Sequence, residues 1–165
     1  DIPNTVRGAV AVAGDLGVSM ATVHTLGGPA MLRAAAESAV PGMALVGVTV
    51  LTSHDEADYS AAMGRPSVRL LDEAARLARS ATAAGLAGVV CSPLEVDRIR
   101  SGLGPDSLIV VPGIRRPDDA SADQSRTASP KEAVRHGATH LVVGRPVLLA
   151  PDPAAVWSAL EADMG

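Results

Sequence analysis

Aromatic residues are almost absent from this sequence of 165 residues. It contains no Phe, one Trp (Trp157) and one Tyr (Tyr59), although 47% of its residues are hydrophobic. The core must therefore be packed from Val, Leu, Ile, Ala and Met, which suits parallel strands covered by Ala-rich helices. The hydrophobic fraction excludes a disordered chain, and the length predicts a single domain over residues 1–165.

Cysteine and lysine each occur once. The single Cys91 excludes an internal disulfide and permits a reducing compartment. We interpret it as a buried small hydrophobe, because no basic partner that would depress its pKa is evident. Lys131 is the only Lys, compared with thirteen Arg. A catalytic Lys within this sequence could therefore lie only at that position.

Long apolar runs and a basic charge balance are also missing. No stretch reaches the roughly 18 apolar residues of a membrane span, and no leader peptide is recognisable. We therefore expect a cytoplasmic protein without a membrane partner. The net charge of −4 and the scarcity of aromatic residues argue against a nucleic-acid partner.

Five short apolar segments are predicted to be strands. Three follow a glycine, in "GVSMATVH" from Gly17, "GLAGVVCS" from Gly85 and "GATHLVVG" from Gly137. This pattern is typical of a helix end, a tight turn and a buried strand. The other two segments, residues 43–51 and 107–113, are continuous and β-branched, as strands buried on both faces are.

Helical patterns lie between these strands. A first helix follows Pro3, where Asn4 or Thr5 can provide the N-cap. Further helices are predicted from Ala-, Leu-, Glu- and Arg-rich composition and from their boundary residues. They cover residues 28–40, 67–85, 92–104, 129–137 and 152–165. One helix followed by five βα units predicts a parallel sheet with right-handed crossovers.

Two α/β architectures fit this order, an open doubly wound sheet and part of a (β/α)8 TIM barrel. A doubly wound sheet favours G-x-G-x-x-G after its first strand, and "HTLGGPAM" lacks that spacing. Several side chains fall at or just past the carboxyl ends of successive strands, where barrel active sites gather. They are His24, Thr52, Cys91, Arg115 and Arg145. The sequence therefore favours a partial barrel of about five strands.

Seven segments together form a specific signal. They are "DIPNTV" at 1–6, "TVHTLGGPAML" at 22–32, "VTVLTS" at 48–53, "GVVCSPLE" at 88–95, "VPGIR" at 111–115, "ADQSR" at 122–126 and "VVGRPV" at 142–147. In this order and spacing they resemble the bacterial type of orotidine 5'-phosphate decarboxylase. The resemblance implies a lyase that converts orotidine 5'-phosphate to UMP in de novo pyrimidine biosynthesis, without metal or organic cofactor.

The opening segment has a definite place in that resemblance. In the family, "DIPNTV" completes the motif Asp-x-Lys-x-x-Asp-Ile-Pro-Asn-Thr at the end of the third barrel strand. The resemblance implies that the chain matches the last five-eighths of the barrel, with three strands and the catalytic Lys expected upstream of Asp1. We expect residues 1–165 alone to be catalytically incomplete, because Lys131 is predicted to lie on a surface helix.

The resemblance also implies roles for residues of this segment. Asp1 resembles the acid that the neighbouring subunit contributes to an Asp-Lys-Asp-Asp array, which implies a homodimer with shared active sites. Ile2 and Thr5 are implied to bind substrate, with Thr5 matching the residue that reaches the ribose hydroxyls of the partner's ligand. Thr52 resembles the hydroxyl that contacts the pyrimidine.

A phosphate site is implied at the end of the last strand. Gly144 permits close backbone approach, and Arg145 offers a planar, charged fork to phosphate oxygens. Arg115 and Gln124 resemble other ligand-binding residues, and the polar stretch between them is predicted to be a mobile lid. No metal site is predicted, because His24 has no second ligand at metal spacing.

Two alternatives remain open at this point. A sugar-phosphate decarboxylase or isomerase of the same superfamily would share the phosphate site and would usually need metal-binding carboxylates near the third strand. A non-catalytic phosphate-ligand-binding or assembly module would keep the phosphate site alone.

Overall fold

The structure is a computed structural model that describes residues 1–115 and 126–165. Its strands are β1 (Met20–His24), β2 (Ala44–Val48), β3 (Gly88–Val90), β4 (Leu108–Val111) and β5 (His140–Leu141). Its helices are α1 (Pro3–Asp15), α2 (Gly28–Ala36), α3 (Glu56–Ala62), α4 (Leu70–Ala83), α5 (Val96–Arg100), α6 (Pro130–Arg135), α7 (Arg145–Leu148) and α8 (Pro153–Met164). Short 3-10 turns cover Thr25–Gly27 and Pro93–Glu95. None of the described helices has the length and apolar character needed to span a bilayer.

All five predicted strands and the order of one helix followed by βα units are confirmed. Helices α3 and α7, of seven and four residues, were not predicted. The expected N-cap of α1 is wrong. The helix begins at Pro3 with Ile2 as N-cap and without a capping side chain, since proline at the first helical position has its φ already fixed and needs no N–H acceptor.

The strands pair in parallel and lie in the sheet in the order of the chain, from β1 to β5. Right-handed crossovers between sequential neighbours place all the connecting helices on the same face. A doubly wound sheet instead reverses its strand order to put helices on both faces. The observed order therefore rules out the doubly wound alternative and gives a partial barrel, as the sequence favours.

The two faces of the sheet have different environments. One face packs against the helices, and its strand residues Leu45, Val89, Ile109 and Val111 belong to the hydrophobic core with Leu77, Ala78 and Ala81 of α4. On the opposite face, the strand register places one row of side chains next to each other: His24, Val48, Val90, Val110 and His140. This second face is the interior face of the partial barrel.

Glycines let the backbone turn sharply and approach closely at specific positions. The glycines predicted to end helices have positive φ angles of 76°, 95° and 107°, at Gly17, Gly85 and Gly137. Gly88 of β3 has a different role, because a Cβ there would lie 2.0 Å from the Leu108 carbonyl oxygen. The β3 and β4 pairing therefore requires glycine at this position.

A buried carboxylate joins α3 to α4. The side chain of Glu73 is 7% exposed and accepts hydrogen bonds from Arg76 Nη2 at 2.7 Å, Arg65 Nη1 at 3.2 Å and the Tyr59 hydroxyl at 3.3 Å. The hydrogen bond from Arg76, partly opposed by burial, lowers the pKa of Glu73 to about 2. Burial, followed by the charge of Glu73, raises the pKa of Tyr59. This cluster fixes the segment between β2 and α4 on the outer surface.

The Glu73 cluster generates a pH-dependent prediction. The folded pKa of Glu73 lies below its unfolded value, so its stabilisation is present above about pH 5 and is lost as the pH falls toward 2. At pH 7, Glu73→Gln should lower the free energy of unfolding by less than about 3 kcal/mol. Arg65 and Arg76 are half exposed, so solvent screens their interaction with Glu73. Urea unfolding at several pH values measures the difference.

The matched control is Glu161→Gln on α8, which changes an exposed carboxylate. Its unfolding curve should follow the unsubstituted protein at every pH. A deficit of Glu73→Gln that stays constant between pH 7 and pH 3 would contradict the assigned role of the ionised carboxylate.

Candidate active site at the carboxyl ends of the strands

The parallel strands bring the predicted site residues to one edge of the sheet. His24 is the last residue of β1, and Cys91 follows β3 directly. Thr52, Arg115 and Arg145 each come four residues after the last residue of β2, β4 and β5, respectively. The predicted strand-end placement of these five residues is confirmed.

Asp1 lies beside the end of β1. Together with His24 it lines an open pocket of about 400 Å³ whose other walls are mostly apolar, formed by Val6, Val23, Leu26, Gly27 and Met31. Ile2 and Thr5 are exposed at the start of α1. The structure therefore brings Asp1 to the strand-end edge at β1, with Ile2 and Thr5 accessible next to it.

The loop after β2 is fixed by backbone acceptors. Thr49 donates its hydroxyl to the Val90 carbonyl at 2.8 Å, which extends the contact between β2 and β3 beyond the strands. The Leu51 carbonyl accepts the His54 backbone N–H at 3.1 Å. Thr52 lies between these residues and is half-buried, so its backbone is held near the sheet edge.

The chain after β4 pairs with a later segment of the same loop. Ile114 forms an isolated parallel bridge with Ala128, and Arg115 donates its backbone N–H to the Ala128 carbonyl at 3.0 Å. The Arg115 guanidinium donates to the Ile114 carbonyl at 2.8 Å. Gln124 and the predicted lid at 116–123 lie outside the described residues.

Open space surrounds Gly144, the N-cap of α7. A Cβ at this position would meet no atom of the described residues within 4 Å, so packing does not require glycine here as it does at Gly88. Arg145 is the first residue of α7 and is exposed. Because Gly144 has no side chain, there is room beside the Arg145 guanidinium, as a phosphate site needs.

A buried ion pair behind these loops was not predicted. Glu95, whose side chain is 2% exposed, pairs with Arg126 Nη1, whose side chain is 10% exposed. Burial raises the pKa of Glu95, and the positive charge of Arg126 opposes that effect. The sequence contains one signal for this arrangement, because "SPLE" from Ser92 has the spacing of a capping box, and the structure contains that box. Nothing in the sequence pairs Glu95 with Arg126.

Three remaining residues have clear environments. Cys91 is 1% exposed, and burial raises the pKa of its thiol well above the ordinary value, which confirms it as a buried hydrophobe. Lys131 is exposed on α6, as predicted, and its backbone N–H bonds to Asp163 of α8. Within residues 1–115 and 126–165, no group of three or more His, Cys, Asp or Glu side chains is placed to hold a metal ion.

The charges at this edge are distributed asymmetrically across the sheet. The loops after the adjacent strands β4 and β5 carry Arg115 and Arg145, whereas Asp1 lies by β1 at the opposite side. Thr52 follows β2, between these two regions. The arrangement can hold an anionic group at β4 and β5 and a neutral polar group nearer β2, with an acid located separately at β1.

Comparisons with known proteins agree with this geometry. The sequence model of the orotidine 5'-phosphate decarboxylase / HUMPS family matches residues 1–160. The chain is 49% identical to the orotidine 5'-phosphate decarboxylase of Anaeromyxobacter dehalogenans and 50% identical to that of Halorhodospira halophila. The matches cover 99% of this chain and 71% and 70% of those relatives.

Solved structures give the same result. A crystal structure of orotidine 5'-phosphate decarboxylase from Lactobacillus acidophilus superposes with a TM-score of 0.84 at 35% identity, covering 100% of this chain and 71% of that one. The enzyme from Pyrococcus horikoshii superposes with a TM-score of 0.75 at 23% identity, over 99% of this chain and 69% of that one, and supports the fold alone. With its parallel sheet, its strand-end residues and matches over nearly its whole length, the chain belongs to the orotidine 5'-phosphate decarboxylase / HUMPS family.

Proposed function

We propose that this chain carries the greater part of a decarboxylase that converts orotidine 5'-phosphate to UMP in pyrimidine biosynthesis. The observation that carries the proposal is the strand-end placement of Arg145, beside open space at Gly144, in a chain that matches this family. The curated relatives at 49% and 50% identity bear the name of this activity.

The proposed chemistry must stabilise a carbanion at C6 of the pyrimidine when CO2 leaves. A cationic donor placed at C6 stabilises that charge and then protonates the carbon. The family resemblance assigns the donor to a Lys expected upstream of Asp1, and Asp1 to the acidic array that orients it. No metal or organic cofactor enters this proposal.

Substrate binding is proposed to use the remaining strand-end residues. Arg145 and Gly144 bind the phosphate, assisted by Arg115, while Thr52 contacts the pyrimidine. Thr52 follows β2, which β3 separates from β4 and β5, and this separation supports the division because phosphate and base are at opposite ends of the nucleotide. Binding energy from the remote phosphate can be used to assemble the reacting centre.

The remaining proposed contacts lie outside these strand ends. Gln124, which is not among the described residues, is proposed to contact the ligand. Ile2 and Thr5 are proposed to bind the ligand of a neighbouring subunit.

A homodimer with shared active sites is part of the proposal. Asp1 and Arg145 lie at opposite sides of the sheet edge. This separation supports the proposal that they act in two different active sites, related by two-fold symmetry. We further propose that residues 1–165 form a single, partial barrel domain. A cytoplasmic location is proposed, because substrate and product are intermediates of nucleotide synthesis.

The two alternatives receive less support. The relatives named above bear the name of the nucleotide decarboxylase and not that of a sugar-phosphate enzyme. A non-catalytic module would need Gly144 and Arg145 alone, whereas Asp1 and Thr52 also lie at the strand-end edge.

Turnover tests the proposed activity directly. The extended form for this test is the chain preceded by the segment expected upstream of Asp1, taken from the Anaeromyxobacter dehalogenans relative. We expect it to produce UMP and CO2 from orotidine 5'-phosphate in equal amounts, at a rate that EDTA does not change. Chromatography of UMP measures the product. Residues 1–165 alone are the control and should be inactive, because their only Lys is Lys131 on α6. A folded extended form that makes no UMP would refute the activity.

The phosphate site gives a ligand-specific prediction. In the extended form, Arg145→Ala should weaken UMP binding on the order of 10- to 150-fold, as expected for the loss of charge-assisted hydrogen bonds. Uridine lacks the phosphate, so its affinity should hardly change. Calorimetric titration measures both ligands, and Arg135→Ala on α6 is the matched control for a surface arginine. Equal losses for the two ligands would place Arg145 outside the phosphate site.

The shared site is tested by subunit exchange. Arg145→Ala and Asp1→Ala extended forms should each be inactive, but a mixed dimer would contain one site with intact Arg145 and an intact Asp1 from its neighbour. Random pairing makes half of the dimers mixed, so roughly a quarter of full activity should return if the sites are independent. Mass spectrometry confirms exchange, and the control is each variant mixed with itself. Confirmed exchange without recovery would assign Asp1 to its own subunit.

A further inference from the structure

The buried pair of Glu95 and Arg126 joins three of the strand-end loops. Glu95 lies in the 3-10 turn after β3, and Arg126 lies in the loop that follows β4. The Arg126 Nη2 donates a hydrogen bond of 2.8 Å to the carbonyl of Leu51, in the loop after β2. The buried Arg126 guanidinium therefore contacts both the loop after β2 and the turn after β3.

Each member of the pair lies in a segment that has further hydrogen bonds of its own. The second carboxylate oxygen of Glu95 accepts the Ser92 backbone N–H at 2.9 Å, as part of the capping box. Two residues after Arg126, Ala128 pairs with Ile114 at the end of β4. Glu95 thus orients the guanidinium, and the backbone two residues after Arg126 is tied to the end of β4.

Stability alone does not account for this arrangement. Removing two charges from water is costly, and well-packed apolar residues often serve as well as a buried ion pair. Within the part of the chain that the structure describes, Arg126 Nε is also buried without a hydrogen-bond partner, which adds a further cost. The geometric result of the pair is a fixed Leu51 carbonyl, and that carbonyl belongs to the peptide bond preceding Thr52.

We propose that Arg126, oriented by Glu95, is a positioning residue that holds the Leu51 to Thr52 peptide so that the Thr52 hydroxyl meets the pyrimidine. This inference rests on the proposed function. Arg126 itself touches no substrate, since its guanidinium is directed at Glu95 and at the Leu51 carbonyl. Its effect on ligands should therefore be selective for those that carry a base.

The test uses the extended form with Arg126→Met combined with Glu95→Gln. The second substitution avoids leaving a buried carboxylate without its partner. UMP affinity should fall about tenfold, as for one lost hydrogen bond, while the affinity for ribose 5-phosphate should stay unchanged because it has no pyrimidine. Calorimetric titration measures both, and a thermal melt establishes folding. Arg126→Lys serves if the double variant does not fold, since a Lys keeps the charge but cannot bond both acceptors with one planar fork.

Arg100→Met is the matched control. Arg100 also donates to backbone carbonyls, those of Gly137 at 2.8 Å and Ser107 at 3.0 Å. These carbonyls precede β5 and β4, so they lie at the amino ends of the strands, away from the strand-end site. The control should lower the melting temperature and leave both affinities unchanged. A purely structural role of Arg126 would make its variants behave like this control, which would overturn the proposal.

A double-mutant cycle with Thr52→Val separates positioning from general damage. If Arg126 acts through Thr52, the Arg126 substitution should add no further loss of UMP affinity in the Thr52→Val background. Additive losses, or equal losses for UMP and ribose 5-phosphate, would overturn the inference while leaving the proposed function intact. An unsubstituted, folded extended form that binds no UMP would instead refute the proposed function, and the inference with it.

Discussion

Parallel pairing of the strands in chain order is the constraint on which the rest of this structure depends. Parallel βα units cross over in the right-handed sense, so strands in chain order have their connecting helices on the same face and their carboxyl ends at one edge. The core can then be built from small aliphatic residues, since Ala-rich helices approach the sheet closely. The same constraint collects Thr52, Arg115 and Arg145 from distant parts of the sequence into one region.

Among the described residues, the buried charged side chains of Glu73, Glu95 and Arg126 join segments that follow the strands. Glu73 joins the segment after β2 to α4, and Glu95 with Arg126 joins the loops after β2, β3 and β4. In both places a buried carboxylate accepts hydrogen bonds from an arginine and holds neighbouring segments together. For the pair of Glu95 and Arg126, which joins the strand-end loops, the proposed catalysis gives a reason for the cost of burying two charges, because reacting groups must be held precisely.

The proposed division of the site also follows from the sheet. Cationic residues lie at the ends of β4 and β5, and Asp1 lies by β1, on the other side of the same edge. In the proposed site, a nucleotide with its phosphate at the cationic end lies across the sheet edge from Asp1 of its own subunit. The shared site proposed for a symmetric dimer would resolve this separation, because each subunit would contribute Asp1 to one ligand and its cationic residues to another.

The sequence by itself determined the strands, their order and the residues at their ends. Continuous β-branched runs and glycines such as Gly85 and Gly137 specify a buried parallel strand locally, and the glycines have the positive φ expected of them. Helices α3 and α7 were not predicted, although α5 and α6 are of similar length and were. Only the tertiary structure decided that Arg126 pairs with Glu95 and reaches Leu51. These residues are 31 and 75 positions apart, and no local pattern specifies which buried partners a side chain meets when the sheet closes.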